Sequence, residues 1–242
     1  MFPVPWDREF IDAPPVVKKK QNTPCFTCSH VTQIVMRAIG QFRVLFVLLA
    51  ASGLRIGEAL GLRIENVRDE GRWLIIVEKN WKGKQQDFLK TNNGEREIDL
   101  HSSVAAMLWE HIGSRTSGFV FLSRRGKAHS QLNIIKRYLH PILLGDGKTP
   151  RVTGWKAGNH AFRRFRDTYL RNEARTPDSI IKYWMGHAGK DMTDLYDKAG
   201  TWRKTRCDEA ERAGIGFTLP EKNVSCTECT EKTKTAAGVA AV

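Results

Sequence analysis

Seven side chains of this sequence could act together on a phosphate: Arg55, Glu58, Lys90, His160, Arg163, His187 and Tyr196. A tyrosine hydroxyl ionises near pH 10, so it attacks phosphorus usefully only where cations stabilise the developing phenolate or the phosphate. Two arginines can grip such a phosphate bidentately, lysine and histidine can move protons, and a carboxylate can orient a guanidinium. On a helix over residues 54–62, at about 100° per residue, Arg55 falls between Leu62 and Ala59 on an apolar flank. A charge there needs a partner, and Glu58 at i+3 is within reach. Asn159 is expected to cap a helix on which Phe162, Phe165 and Tyr169 face one way and His160, Arg163, Arg164 and Asp167 the other. His160 and Arg163, three apart, can touch one ligand, and the helix N-terminus adds partial positive charge for an anion. Gly186 reads as a helix stop, His187 opens a short loop, and Tyr196 lies on the following helix.

Each feature also has an ordinary use. Arg55 and Glu58 could be a structural pair, Lys90 a solvated hairpin lysine that protects an edge, the 160–167 charges a wet helix face, and Tyr196 an amphipathic core-edge residue. Their order and spacing are more specific. The run Gly53-Leu54-Arg55-Ile56-Gly57-Glu58-Ala59-Leu60-Gly61-Leu62-Arg63 is followed by Lys90-Thr91 before a hairpin and by His160-x-x-Arg163. Gly186-His187 then stands with Tyr196 nine residues on, and the whole resembles the tyrosine recombinase (phage integrase) family over residues 22–213.

The resemblance implies that Arg55 and Arg163 hold the non-bridging oxygens of a scissile phosphate in DNA. Tyr196 attacks phosphorus to leave a 3′-phosphotyrosyl bond and a free 5′ hydroxyl, with Lys90 as general acid for the leaving oxygen. It further implies His160 as acid/base, His187 as a hydrogen-bond donor to the phosphate, and Glu58 as the acid supporting Arg55. Phe162 and Met185 stand where leucine is usual, and Arg164 where histidine is common; none of these removes a catalytic group. No cofactor and no metal is expected, because the cations needed are side chains. The partner implied is double-stranded DNA, with a homotetramer assembled on it during synapsis. A type IB topoisomerase-like enzyme and a non-catalytic DNA-binding remnant are the alternatives.

Bulk composition agrees with a polyanionic partner. The 242 residues carry a formal charge of +13, which draws nucleic acid first and anionic membrane second. No run approaches the roughly 18 apolar residues of a membrane span, and the start lacks the order of a signal peptide, so a soluble cytoplasmic protein is expected. Cys25/Cys28 and Cys226/Cys229 form two Cys-x-x-Cys pairs, but they lie near opposite ends of the chain and are expected to be reduced, unpaired thiols rather than a zinc site.

The elements that must position these residues follow from periodicity. Residues 1–24, rich in proline with Lys18-Lys19-Lys20, read as an interdomain linker remnant whose preceding core-binding domain is absent; residues 25–213 form the catalytic domain; 214–242 read as a polar, disordered tail. Within the domain, a helical pattern runs from Cys28 to Ala51. A strand at 73–77, one ending near Lys90 and one at 95–100 make a small antiparallel sheet. Helices are expected near 102–113, 130–144, 160–173, 178–185 and 192–212. The fold class expected is α+β, mainly α-helical with a small three-stranded antiparallel sheet, as in a tyrosine-recombinase catalytic domain.

Overall fold

The computed structural model describes residues 24–81, 84–86, 95–123, 126, 129–145, 151–187 and 199–220. Lys90, Tyr196, Cys226 and Cys229 lie outside them. The chain opens with α1 (Cys28–Arg37), capped by Thr27, whose hydroxyl accepts from the His30 N–H while the His30 ring accepts from the Thr27 N–H. The long helical pattern divides here, because Ala38 and Ile39 are extended and Gly40 has φ +55°. Then comes α2 (Gly40–Ser52), buried on almost every side from Leu45 to Ser52, as its unbroken apolar run requires. It stops at Gly53, which is left-handed with φ +69°.

The chain continues through α3 (Ile56–Gly61), β1 (Val67–Arg68), β2 (Trp73–Ile76), β3 (Lys79–Trp81), β4 (Lys84–Gln86) and β5 (Arg96–Asp99). β1, β2 and β5 form the three-stranded antiparallel sheet, with Leu74 opposite Ile98 and Ile76 opposite Arg96; β3 and β4 form a separate antiparallel pair. The third strand of the described sheet is Val67–Arg68; the strand expected to end near Lys90 lies outside the described residues. Two residues are too short to show alternation, and that hid the strand from pattern reading.

The remaining helices are α4 (Ser102–Ile112), α5 (Gln131–Ile134), α6 (His140–Leu144), α7 (His160–Asn172), α8 (Asp178–Met185) and α9 (Arg203–Ala213). A π turn at Ile135–Leu139 joins α5 to α6. The single helix expected over 192–212 is replaced, where described, by a 3₁₀ turn at Ala199–Thr201 and then α9. Among the described residues no helix is long and apolar enough to cross a membrane.

The core centres on α2 and α7, where Phe46 stacks on Phe162 and Phe26 meets Phe162 edge-on at 4.9 Å. The folded unit runs past the expected boundary at Ala213. Ile215, Phe217 and Leu219 pack against the core, and the Thr218 N–H donates to the Thr32 hydroxyl. Three apolar side chains at every second position of a short terminal stretch are enough to dock it, although its surroundings read as polar. Truncating the fully buried Phe162 to alanine is expected to cost about 3–5 kcal/mol, the range for aromatic-to-alanine changes in a core. Urea unfolding checks this, and a loss below about 1 kcal/mol would mean that the α2–α7 seam is not the centre of the core.

Candidate active site

Arg55 does not lie within a helix; it holds the N-cap position of α3 with extended backbone. The helix starts two residues later than the apolar pattern suggests, and this frees the side chain to leave the helix flank. Glu58, at the third position of α3, folds back beneath it. Its carboxylate accepts the Arg55 backbone N–H at 3.0 Å and the guanidinium at 2.8 Å. The Arg55 side chain remains 42% exposed while that of Glu58 is 4% exposed, so the pair presents a guanidinium to solvent from a buried carboxylate.

A buried carboxylate needs more than one half-exposed cation. Arg96, at the start of β5, supplies the second. Its Nη2 donates to Glu58 Oε2 at 2.9 Å, and its side chain is 1% exposed. Burial alone would raise the Glu58 carboxyl, but the Arg96 charge and the hydrogen bonds from Arg96 and Arg55 outweigh it and hold the group below the usual carboxylate range. Arg96 also donates through Nε to the Trp184 carbonyl at 2.8 Å, at the end of α8. Arg96 was not among the expected site residues. In Arg96-Glu97-Ile98-Asp99-Leu100 the strand period puts Arg96 on the face of Ile98 and Leu100, both buried. A charge on an apolar face, the argument used for Arg55, would have found it.

α8 ends in a tight reversal. The His187 N–H donates to the Lys182 carbonyl and the Gly186 N–H to the Tyr183 carbonyl, both at 3.0 Å, with Gly186 left-handed at φ +58°. This double bond pattern is a Schellman cap, and it delivers His187 at a fixed place beyond the helix. A side chain at Gly186 would also crowd Arg96, which would have to give by a few tenths of an ångström, since a Cβ would lie 3.0 Å from Nη1 and 3.1 Å from Cζ.

Arg163 enters the same place from α7. Its Nη1 donates to the Gly53 carbonyl at 2.8 Å, and its Nη2 donates to the Met185 carbonyl and to His187 Nε2, the latter at 3.2 Å. Guanidinium nitrogens only donate, so Nε2 of His187 accepts and its proton resides on Nδ1. Burial and the Arg55 charge push the Arg163 guanidinium down to about 10. His160 is exposed, whereas Arg163 is only 5% exposed, so the two do not share a wet face. α7 packs on α2 along one flank and meets α8 along another, which leaves Arg163 in the seam between Gly53 and Met185. Asn159 sits at the N-cap position but accepts no capping bond, because its backbone is already helical at φ −58° and ψ −21°.

The described part of the site thus brings together Arg55, Glu58, His160, Arg163 and His187, with Arg96 beneath. Partial desolvation and the charges of Arg164, Arg163 and Arg55 lower the His160 pKa; desolvation, Arg163 and Arg55 lower that of His187. One buried carboxylate, Glu58, faces three guanidiniums, Arg55 and Arg96 in direct contact and Arg163 through its charge alone. Such an excess of fixed positive charge, half buried and open at Arg55, suits an anion.

The segment with Tyr196 lies in sequence between two described margins, His187 before it and Ala199 after it, and both are anchored. Arg206, fully buried, donates to Asp99 Oδ2 at 2.8 Å, to the Gly200 carbonyl at 2.6 Å and to Glu97. Trp184 Nε1 donates to the same Asp99 oxygen at 2.8 Å, and Gly200 lies against the Tyr183 ring. β5 therefore anchors α8 on one side of that segment and α9 on the other. Among the described residues no group of three or more His, Cys, Asp or Glu side chains could hold a metal; Cys25 and Cys28 are exposed free thiols.

A model of the phage integrase family matches residues 28–201. The chain belongs to that family. It is 24% identical over 164 residues to the tyrosine recombinase XerD of Agrobacterium fabrum, covering 64% of this chain and 48% of that one. Its fold resembles the Tn1549 transposon integrase solved with circular intermediate DNA (TM-score 0.56, 23% identity, 74% of this chain and 63% of the other). It also resembles the integrase of mycobacterium phage Brujita (TM-score 0.54, 19% identity, 83% and 62%) and XerA recombinase (TM-score 0.52, 16% identity, 81% and 66%). The chain spans about half the length of the curated relative it matches.

His111, His129, His160 and His187 all have pKa values lowered from 6.5, burial being the leading cause in each. The unfolded chain then binds more protons than the folded one below that value. This contribution to stability is present above the unfolded pKa of about 6.5 and is lost as pH falls through it. The thermal midpoint is expected to fall between about pH 6.5 and pH 5, and less steeply in the His111→Gln/His129→Gln double variant. A midpoint that rises over that interval contradicts the assignment.

Proposed function

We propose that this chain is the catalytic part of a site-specific DNA recombinase of a mobile element, cutting and rejoining strands through a 3′-phosphotyrosyl bond at Tyr196. The observation that carries this is the surplus of positive charge around the exposed Arg55, backed by Arg163 and by two neutral histidines. A phosphodiester in a pentacoordinate transition state gains charge on its non-bridging oxygens, and fixed guanidiniums stabilise that charge without reorganisation. Among the described residues Arg55 keeps donors beyond those held by Glu58 at the surface. Arg163 holds the Gly53 and Met185 carbonyls and adds its charge from below. The Nδ1–H of His187 supplies a neutral donor, and His160, kept neutral by partial burial and then by its cationic neighbours, can take a proton from Tyr196. Lys90 protonates the departing 5′ oxygen. Side-chain cations fill the part that a metal takes in many nucleases, so the reaction runs without one. Exchange between two duplexes breaks four strands with one tyrosine each, and four protomers on DNA satisfy that count. The DNA complex of the Tn1549 integrase supports DNA as the partner.

The test is trapping of a covalent protein–DNA adduct on a pool of nicked duplexes with randomised cores, in the presence of chelator. Wild-type protein is expected to form the adduct and Tyr196→Phe to form none while still binding. Arg55→Ala and Arg163→Ala are expected to slow adduct formation by about 10²-fold or more, the scale of losing one transition-state donor. An adduct that persists in Tyr196→Phe rules out the nucleophile.

Binding itself should be governed by phosphate contacts. If about six phosphates are neutralised, the log–log salt slope is near −5, and affinity for random duplex drops roughly a thousandfold between 50 and 200 mM salt. Titrations at several salt concentrations check this; tight, salt-tolerant, sequence-selective binding would show that base contacts dominate instead.

A further inference from the structure

We propose that Arg96 is a positioning residue for the phosphotyrosyl reaction inferred above, on which this inference rests: one buried guanidinium sets Arg55 through Glu58 and sets the Gly186–His187 turn through the Trp184 carbonyl. The two halves of the anion site come from distant parts of the chain. Arg55 precedes α3, whereas His187 follows α8. Arg163 spans them from α7, between the Gly53 carbonyl and the Met185 carbonyl with His187, and Arg96 joins them from β5, through Glu58 Oε2 at 2.9 Å and the Trp184 carbonyl at 2.8 Å. Its planar fork makes both bonds at once, which an ammonium on a flexible stem cannot do with the same fixed angles. Its contact face lies directly under Gly186, where a Cβ would come within 3.0 Å of Nη1. β5 begins at Arg96, so the strand that follows Lys90 in sequence is itself pinned at this junction. Arg96 is 5% exposed and meets no solvent-borne phosphate; it acts through Glu58, Arg55 and the turn.

Phosphoryl transfer is sensitive to misplacement of its donors by about 1 Å, which can cost 10²-fold in rate. Lysine at position 96 preserves the charge opposite Glu58 but loses the fork. Arg96→Lys is therefore expected to bind the nicked duplex pool within about twofold of wild type and to form the adduct about 10–100-fold more slowly at saturating DNA. A fold defect alone would lower the active fraction, not the rate constant of the protein that remains folded. A cycle with Arg55→Lys separates positioning from independent damage, because effects routed through a shared partner are not additive. The slowing caused by Arg96→Lys is expected to shrink at least about threefold when Arg55 is already lysine. Should Arg96→Lys melt below the assay temperature, the Glu58→Gln/Arg96→Gln double variant, which exchanges the buried ion pair for two amides, takes its place with the same expected slowing and binding. Wild-type-like cleavage by the substituted protein, or losses that multiply in the cycle, overturns the role of Arg96 and leaves the proposed function standing. Absence of any adduct from the wild-type chain overturns both.

Discussion

A carboxylate removed from water must be met by positive charge, and this domain is arranged around that constraint at Glu58. The carboxylate takes two hydrogen bonds from Arg55 and a further pair of contacts from Arg96, and it stays ionised although buried. α3, β5 and the end of α8 are held at one point as a result. Removing one partner of a buried pair commonly costs about 3–5 kcal/mol, because the other is left stranded. The pair is thus a strict determinant of geometry whatever its net worth to stability.

The same logic recurs on the far side of β5. Asp99 receives Arg206, the Trp184 indole and the Cys207 thiol; burial, and then the Asp99 charge, push that thiol up to about 11. Glu97, between them in sequence, takes Arg203 and Arg206. One four-residue strand therefore distributes charges in both directions, Arg96 toward Glu58 and Arg55 and Glu97 and Asp99 toward α9. The small sheet is less a core element than a rack for ion pairs, while α2 and α7 provide the apolar mass.

The grouping of the candidate site was legible because phosphate chemistry restricts residue types and the family order restricts positions: Arg55, Glu58, His160, Arg163 and His187 do converge. Fold class was legible for the long periodic segments, α2, α4, α7 and α8. What could not be read was set by tertiary context. Arg55 was expected on a helix flank, yet the helix starts after it, since a cap is decided by what its side chain meets. Arg163 was placed with the wet residues of α7, but a helix packed along two flanks buries what a two-faced wheel leaves outside. Arg96 was seen only as part of a strand, and its importance comes from Glu58, 38 positions earlier. Lys90 and Tyr196 lie outside the described residues and stand on spacing and resemblance.

Gly186 is held by two separate locks: a left-handed backbone at φ +58° and the Arg96 guanidinium, which crowds the place a β-carbon would take. Substituting Arg96 opens space but leaves the backbone strain, and relaxing the backbone leaves the steric wall. In the history of such a sequence the two positions cannot drift symmetrically. Arg96 can be exchanged while Gly186 stays, but a side chain at 186 has to wait for a change at 96 and for a different way of ending α8, so the glycine should outlast the arginine as relatives diverge.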